Sequence, residues 1–287
     1  MQIWRIGGFA HCGMVLPGST LAARPAKKRR RRRTRAMHEN EFTILLYGSF
    51  LLVPITAAYL LFWTAPYGRH ARKGFGPTLD NTLAWVLMEA PAALVPLALF
   101  MANDRHDLVT TIFLLIWEAH YVQRAFLYPL KIRGRGARVP LAIPISGAFF
   151  NLLNGSLNFT YLTQLAPRYQ ADWLLDPRFL AGLALFALGY TINRQADHIL
   201  LNLRAPGETG YKIPRGGFYR FISCPNYFGE LVEWCGWALL TWSLPGLFFA
   251  LFTAANLVPR ALAHHRDYHR RFSDYPASRR AVLPFVL

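Results

Sequence analysis

Cysteine is nearly absent from this 287-residue chain. Its three residues, Cys12, Cys224 and Cys235, form no CxxC or other metal-ligand spacing, which excludes a disulfide scaffold and a cysteine-built metal centre. Acid is scarce too: 15 Asp plus Glu stand against 32 Lys plus Arg, and charged residues make up only 16% of a chain that is 53% hydrophobic. Long charge-poor runs of this kind argue against one or two soluble domains and for a membrane protein. The usual nucleotide and nucleophile signatures are missing: no GxGxxG follows a strand, and there is no GxxxxGK[ST] or GxSxG. Whole-chain disorder is excluded by an aromatic content of 15%.

The positive charge is concentrated at one end. Residues 1–36 hold Arg5, Arg24, Lys27, Lys28, Arg29 to Arg33 and Arg35 and no acid; without them the net charge falls from +17 to +7. A Lys/Arg run suggests nucleic acid or anionic lipid in general. The plainer expectation is a disordered basic extension, or a chain that truly starts at Met37, so no nucleic-acid partner is expected. The tail also lacks the apolar core of a signal peptide.

From Met37 onward the sequence predicts an all-α, polytopic membrane domain over 37–287. Seven runs approach the roughly 20 apolar residues that a span needs: about 42–63, 82–102, 108–130, 141–164, 179–203, 227–243 and 246–263. The loops on one side carry Arg69, Arg72, Lys73, Lys131, Arg133, Arg135, Arg138, Arg204, Lys212, Arg215 and Arg220. The C-terminal tail adds Arg260, Arg266, Arg270, Arg271, Arg279 and Arg280 to that side. The other side carries only Arg105, Arg168 and Arg178. The basic side, with the C-terminus, is expected to be cytoplasmic, in the plasma membrane of a bacterium or the endoplasmic reticulum of a eukaryote.

Ionisable residues inside spans are costly and face a protein interior or a wet cavity. Glu89, Glu118, His120, Tyr121, Arg124, Asn193, Arg194, Asp197, Glu230 and Glu233 fall inside or near the start of spans. Trp117, Tyr121, Arg124 and Tyr128 share one helix face, as do Asn193, Asp197 and Arg204, and as do Asn151, Asn154 and Asn158. Interhelical hydrogen bonding accounts well for the Asn stripe, less well for three carboxylates at Glu89, Asp197 and Glu230. Residues 204–226 are rich in Gly, Pro, Arg and Tyr, and both they and residues 264–280 are basic and aromatic. They suit a phosphorylated cofactor with aromatic rings, or a basic belt facing anionic lipid. His264, His265 and His269 lack a ligand set with Cys or carboxylate, so no metal is expected.

Four stretches carry a resemblance: INRQADHILLNLR (192–204), PGETGYKIPRGG (206–217), NYFGELVEWCGWALLTWSLP (226–245) and RALAHHRDYHRRFSDYPASRRAVLPF (260–285). With AWVLMEAP in the second span and HYVQRAFLYP in the third, the chain from about Trp85 to Leu287 resembles the steroid 5-alpha reductase family. The resemblance implies a seven-helix fold around an enclosed active site, NADPH entering from the cytoplasm, and a lipophilic steroid enone entering from the bilayer. It implies catalytic roles for Glu89 and Tyr121, which match the pair that holds the substrate ketone. It also implies cofactor contacts for Trp85, Arg133, Arg135, Asn193, Asp197, Arg204, Tyr211, Asn226, Glu230, His264, Tyr268 and Arg279. The sequence departs from the family pattern at Met88, where Gln commonly precedes the Glu, at Ile132, and at Ser223-Cys224.

The chemistry is coherent on its own terms. Reducing a 3-oxo-Δ4 steroid needs hydride at the β carbon and donors at the enolate oxygen, roles that Tyr121 and Glu89 fit. Three alternatives stay open. They are a reductase of another enone or enoyl lipid, a membrane methyltransferase using S-adenosylmethionine, and a transporter. A monomer is sufficient for all of them.

Overall fold

The computed structural model describes residues 39–64, 70, 74–132, 137–205, 208 and 210–287. The chain divides into Met1–Phe42, of which only 39–42 are described, and Thr43–Leu287, which carries the cavity and its lining. The basic tail therefore lies outside the described residues, as do Arg133 and Arg135.

Seven long helices are found among the described residues: α1 (Glu39–Phe62), α2 (Asn81–Met101), α3 (Leu108–Val122), α4 (Ala142–Thr160), α5 (Pro177–Leu201), α6 (Pro225–Thr241) and α7 (Leu244–Arg271). Local chemistry sets their starts. Asp80 accepts from the backbone N–H groups of Thr82 and Leu83 at 2.9 and 3.2 Å, Asp107 from Thr110 at 2.9 Å, and Ser243 from Gly246 at 3.1 Å. Each satisfies donors that a helix start leaves open. Pro177 and Pro225 occupy first-turn positions, where a missing N–H costs nothing.

By length and composition, α1, α2 and α7 are apolar enough to cross a membrane. Their outward residues are apolar: Leu51, Ile55, Leu61 and Phe62 on α1 and Leu83, Leu94, Leu97 and Met101 on α2 are all exposed. That surface suits lipid rather than water, and the chain is a membrane protein. The fold is mostly helical, but not purely so. A short antiparallel ladder pairs β1 (Thr78–Asp80) with β2 (Arg138–Pro140), Thr78 opposite Pro140 and Asp80 opposite Arg138. It ties the start of α2 to the start of α4. The all-α expectation missed it because three-residue strands leave no periodic signal.

Two prolines in α2 have a packing consequence. Pro96 has no N–H, so the carbonyl of Ala92 lacks its helical partner. Trp117 of α3 donates its indole N–H to that oxygen at 2.7 Å. Trp117 is fully buried, at the centre of an aromatic cluster with Phe159, Trp234, Trp237 and Phe249. Trp237 in turn donates to Asn158 Oδ1 at 2.9 Å, so part of the Asn stripe is interhelical bonding.

The α5–α6 crossing is the closest. Gly182 and Gly189 on α5 lie against Gly236 and Gly229 on α6, an antiparallel pairing at seven-residue spacing. A Cβ placed on Gly182 would lie 2.5 Å from Leu240 N, and one on Gly229 2.5 Å from Asn193 N. Backbones meet here because no side chain intervenes, the small-residue packing common between membrane helices. The contact sets Asn193 and Asp197 of α5 beside Asn226 and Glu230 of α6.

Candidate active site

A cavity of about 550 Å³ runs through the bundle and is lined by residues of all seven helices. Its lining includes the apolar residues Met88, Ile143, Phe150, Phe249, Phe252 and Leu257. It also includes polar residues, and Arg124 is the centre of their bonded network.

Arg124 owes its position to a change of helix type. After Val122 the α3 backbone widens into a π turn, Gln123–Leu127, closed by Tyr128 N–H to Gln123 O at 2.8 Å, and then tightens at Pro129 into a 3₁₀ turn. Such π turns recur at functional sites. The guanidinium donates to Asp197 Oδ2 at 3.0 Å and lies 3.1 Å from Glu230 Oε1, so α3 is pinned to α5 and α6 at once. Its plane lies 4.7 Å from the ring centroid of Trp85 and 5.0 Å from that of Tyr128. Trp85 also donates to the Arg124 carbonyl at 3.0 Å. Asn193 donates to Glu230 Oε1 and to the Asn226 carbonyl, both at 3.1 Å, and Asn226 reaches Asp197 Oδ1 at 3.5 Å. A charge set this deep stands only because every member is paired.

Glu89 is held from α4. Asn151 donates to Glu89 Oε2 at 3.1 Å and to the Met88 carbonyl at 2.8 Å. Met88 packs over Gly147, where a Cβ would collide with its thioether. Tyr121 is buried and stacked on Trp234, ring centroids 5.7 Å apart at 26°, with Trp117 at 4.9 Å. Glu89 and Tyr121 both form part of the cavity wall.

Helix α7 continues past the expected end at residue 263 to Arg271, so His264 and Tyr268 sit on a helix, one turn apart, with Arg260 on the same face. All three line the cavity. The Tyr227 hydroxyl links Arg260 and His264, receiving from Arg260 Nη2 at 3.0 Å and meeting His264 Nε2 at 3.3 Å. Behind this wall Tyr268 stacks on Tyr275 at 5.0 Å, and Arg279 lies 5.1 Å from the Tyr275 ring. Arg279 is 4% exposed, donates to the Pro214 carbonyl at 3.0 Å, and has no partner for Nε or Nη1 among the described residues. The two Arg/Tyr-rich segments meet directly: Ser223 N–H donates to Arg280 O at 2.8 Å and Cys224 N–H to Ala281 O at 3.1 Å.

Of the residues singled out from sequence, Glu89, Tyr121, Trp85, Asp197, Asn226, Glu230, His264 and Tyr268 line the cavity, and Asn193 bonds to that wall. Arg279 stands behind it. Arg204 and Tyr211 do not line it: both are exposed, Arg204 donating to Gly210 O at 3.4 Å and Tyr211 lying under Arg271. Arg124 and Arg260 are the functional residues the sequence reading did not assign. The Trp117/Tyr121/Arg124/Tyr128 face already held the signal for Arg124. No cluster of three or more His, Cys, Asp or Glu able to hold a metal occurs among the described residues.

An apolar helical bundle that gathers a tyrosine, carboxylates and a buried arginine in one cavity lining has the make-up of a membrane enzyme for lipophilic substrates. Residues 137–287 match the family model described as 3-oxo-5-alpha-steroid 4-dehydrogenase. The chain is 46% identical over 226 residues to 3-oxo-5-alpha-steroid 4-dehydrogenase 1 of Rattus norvegicus, covering 78% of this chain and 86% of that protein. It is 43% identical over 258 residues to the steroid 5-alpha-reductase DET2 of Gossypium hirsutum, covering 88% and 99%. The corresponding Homo sapiens protein is 42% identical over 223 residues, covering 77% and 85%. The chain belongs to the 3-oxo-5-alpha-steroid 4-dehydrogenase family and is an oxidoreductase acting on CH–CH groups.

Proposed function

We propose that the protein is an integral membrane reductase of the Δ4 double bond of 3-oxo-Δ4 steroids, with NADPH as reductant and a 5-alpha-3-oxosteroid as product. The observation that carries this is the presence of two chemistries in one cavity lining: apolar residues for a sterol-like body, and Glu89 and Tyr121 together with the Arg124 network. In this reading seven spans enclose the cavity, the Arg-rich side is cytoplasmic, and the protein works as a monomer. Residues 1–36 take no part, and a chain beginning at Met37 is sufficient.

The residues present suit the cofactor. Arg279 is buried with two guanidinium nitrogens unpartnered among the described residues, a state that a phosphate oxygen would relieve. Trp85, Asn193, Asp197, Asn226 and Glu230 offer an aromatic face, amides and carboxylates for the nicotinamide and ribose. Arg260, His264, Tyr268 and Arg279 form the basic end, and Arg204 and Tyr211 contribute from the connecting segment. Arg133 and Arg135 join the phosphate-binding set on the strength of sequence alone. NADPH, when bound, supplies the hydride.

The protein's own work is orientation and charge. The Tyr121 hydroxyl donates to the substrate's ketone oxygen, where negative charge grows as the β carbon is reduced. Glu89, steadied by Asn151 at 3.1 Å, fixes the direction of that donor. The aromatic cluster behind Tyr121 keeps water out of the reacting end.

Glu89→Gln and Tyr121→Phe test this. Each is expected to lower kcat by about 10²–10³-fold, the usual effect of removing one oxyanion donor, with NADPH affinity unchanged. Wild-type turnover in both variants would remove the assigned roles.

A further inference from the structure

The mechanism above leaves the proton that completes the reduction without a source, and it leaves one buried acid–base pair unused. His120 Nδ1 lies 2.8 Å from Glu233 Oε1. His120 is 3% exposed and Glu233 is fully buried, with its second oxygen, Oε2, unpartnered among the described residues. Each is the residue just before a member of the stacked pair Tyr121–Trp234, so the contact locks α3 to α6 directly beside the site. With Nδ1 committed, Nε2 on the far edge of the ring has no protein partner among the described residues. It belongs to a residue of the cavity wall and is not among the buried, unpartnered atoms.

We infer that His120 and Glu233 form a proton relay that supplies the α carbon of the substrate; the inference rests on the reductase reading above. A carboxylate with one orphaned oxygen is expensive at zero exposure. As the acid, Glu233 donates Oε1–H to Nδ1 and leaves only a carbonyl oxygen unpaired. This fixes His120, a residue of the cavity lining, as the tautomer with its proton on Nε2. The group sits next in sequence to Tyr121, which holds the ketone, and the α carbon is bonded to that ketone carbon.

The step balances. Hydride addition at the β carbon moves the C=C electron pair onto the α-carbon–carbonyl unit as an enolate. The α carbon then forms its new C–H bond with the Nε2 proton. Nδ1 takes the proton of Glu233 Oε1, so the imidazole stays neutral and the negative charge passes from enolate to carboxylate. After product leaves, water returns a proton to Nε2 and Nδ1 gives its proton back to Glu233. Glu89, Arg124, Asp197 and Glu230 border the same space.

The test is turnover of progesterone in D₂O with unlabelled NADPH, quenched early, reading which face of the α carbon carries deuterium. Wild type is expected to deuterate one face. His120→Gln and Glu233→Gln are expected to lower kcat by about 10²–10⁴-fold, the range for general acid catalysis, to retain NADPH affinity, and to yield deuterium on both faces as solvent protonates the enol. Glu233→Gln keeps the partner of Nδ1 and the side-chain volume, so it decides the matter if His120→Gln fails to fold. A cofactor-free readout stands beside these: ¹⁵N-histidine spectra are expected to show one Nε2–H tautomer that vanishes in His120→Gln and shifts in Glu233→Gln. Single-face deuteration at wild-type rate in either variant overturns the relay while leaving the reductase reading intact. Absence of reduction by wild type overturns that reading, and the relay with it.

Discussion

Replacing Arg124 by methionine is expected to be the most damaging single change in the polar network. Its guanidinium stands 3.0 Å from Asp197 and 3.1 Å from Glu230, with the three side chains only 11%, 2% and 13% exposed. Methionine nearly conserves volume but strands two carboxylates that have no other bonded cation among the described residues. Breaking a buried ion pair from one side costs about 3–5 kcal/mol. At roughly 2–4 °C per kcal/mol for a chain of this size, the apparent midpoint falls by about 6–20 °C. The assay is thermal unfolding in detergent at one fixed scan rate, since membrane proteins rarely refold and midpoints depend on rate. Asp197→Asn with Glu230→Gln in the Arg124→Met background removes the stranded charges and is expected to recover at least half of the loss. A midpoint within about 2 °C of wild type for Arg124→Met, or no recovery in the triple variant, would refute the reasoning.

Gly229→Ala places a Cβ 2.5 Å from Asn193 N. It forces α5 from α6 and is expected to cost about 1–3 kcal/mol as an overpacked contact and to weaken NADPH binding by parting Asn193 from Glu230, measurable by cofactor titration. At the start of α5, Arg178 grips Asp176 through Nε and Nη2 at 2.8 and 2.7 Å, which holds the carboxyl down at about 2 against an ordinary 3.8. Because the native value is depressed, the stabilisation is complete above 3.8 and is lost as pH falls through about 2. Unfolding midpoints of wild type and Asp176→Asn are therefore expected to differ at pH 6 and to converge at pH 2. A constant gap across that range would contradict the assignment.

Much of this was legible in sequence because membrane constraints write themselves plainly. Apolar runs between basic loops placed all seven helices, and carboxylates where they are least affordable marked Glu89, Asp197 and Glu230. Hydrogen bonds that depend on depth and crossing angle were not legible. Arg124 shows why: its helical face was visible, but the π turn that delivers it between Asp197 and Glu230 has no sequence period of its own. The Gly182–Gly189 and Gly229–Gly236 spacings read as ordinary small residues until the helices are seen touching. Conversely, Arg204 and Tyr211 were legible by motif, but their place off the cavity wall was not, since motif order says nothing about which way a connecting segment turns.

The central claim is enone reduction in the cavity between Glu89, Tyr121 and the Arg124 network. The most direct measurement incubates the purified protein in detergent with NADPH and progesterone or testosterone and follows the steroid by mass spectrometry. The account predicts a gain of two mass units, matched mole for mole by NADPH consumed. Unchanged steroid, with no NADPH bound or consumed, would contradict it.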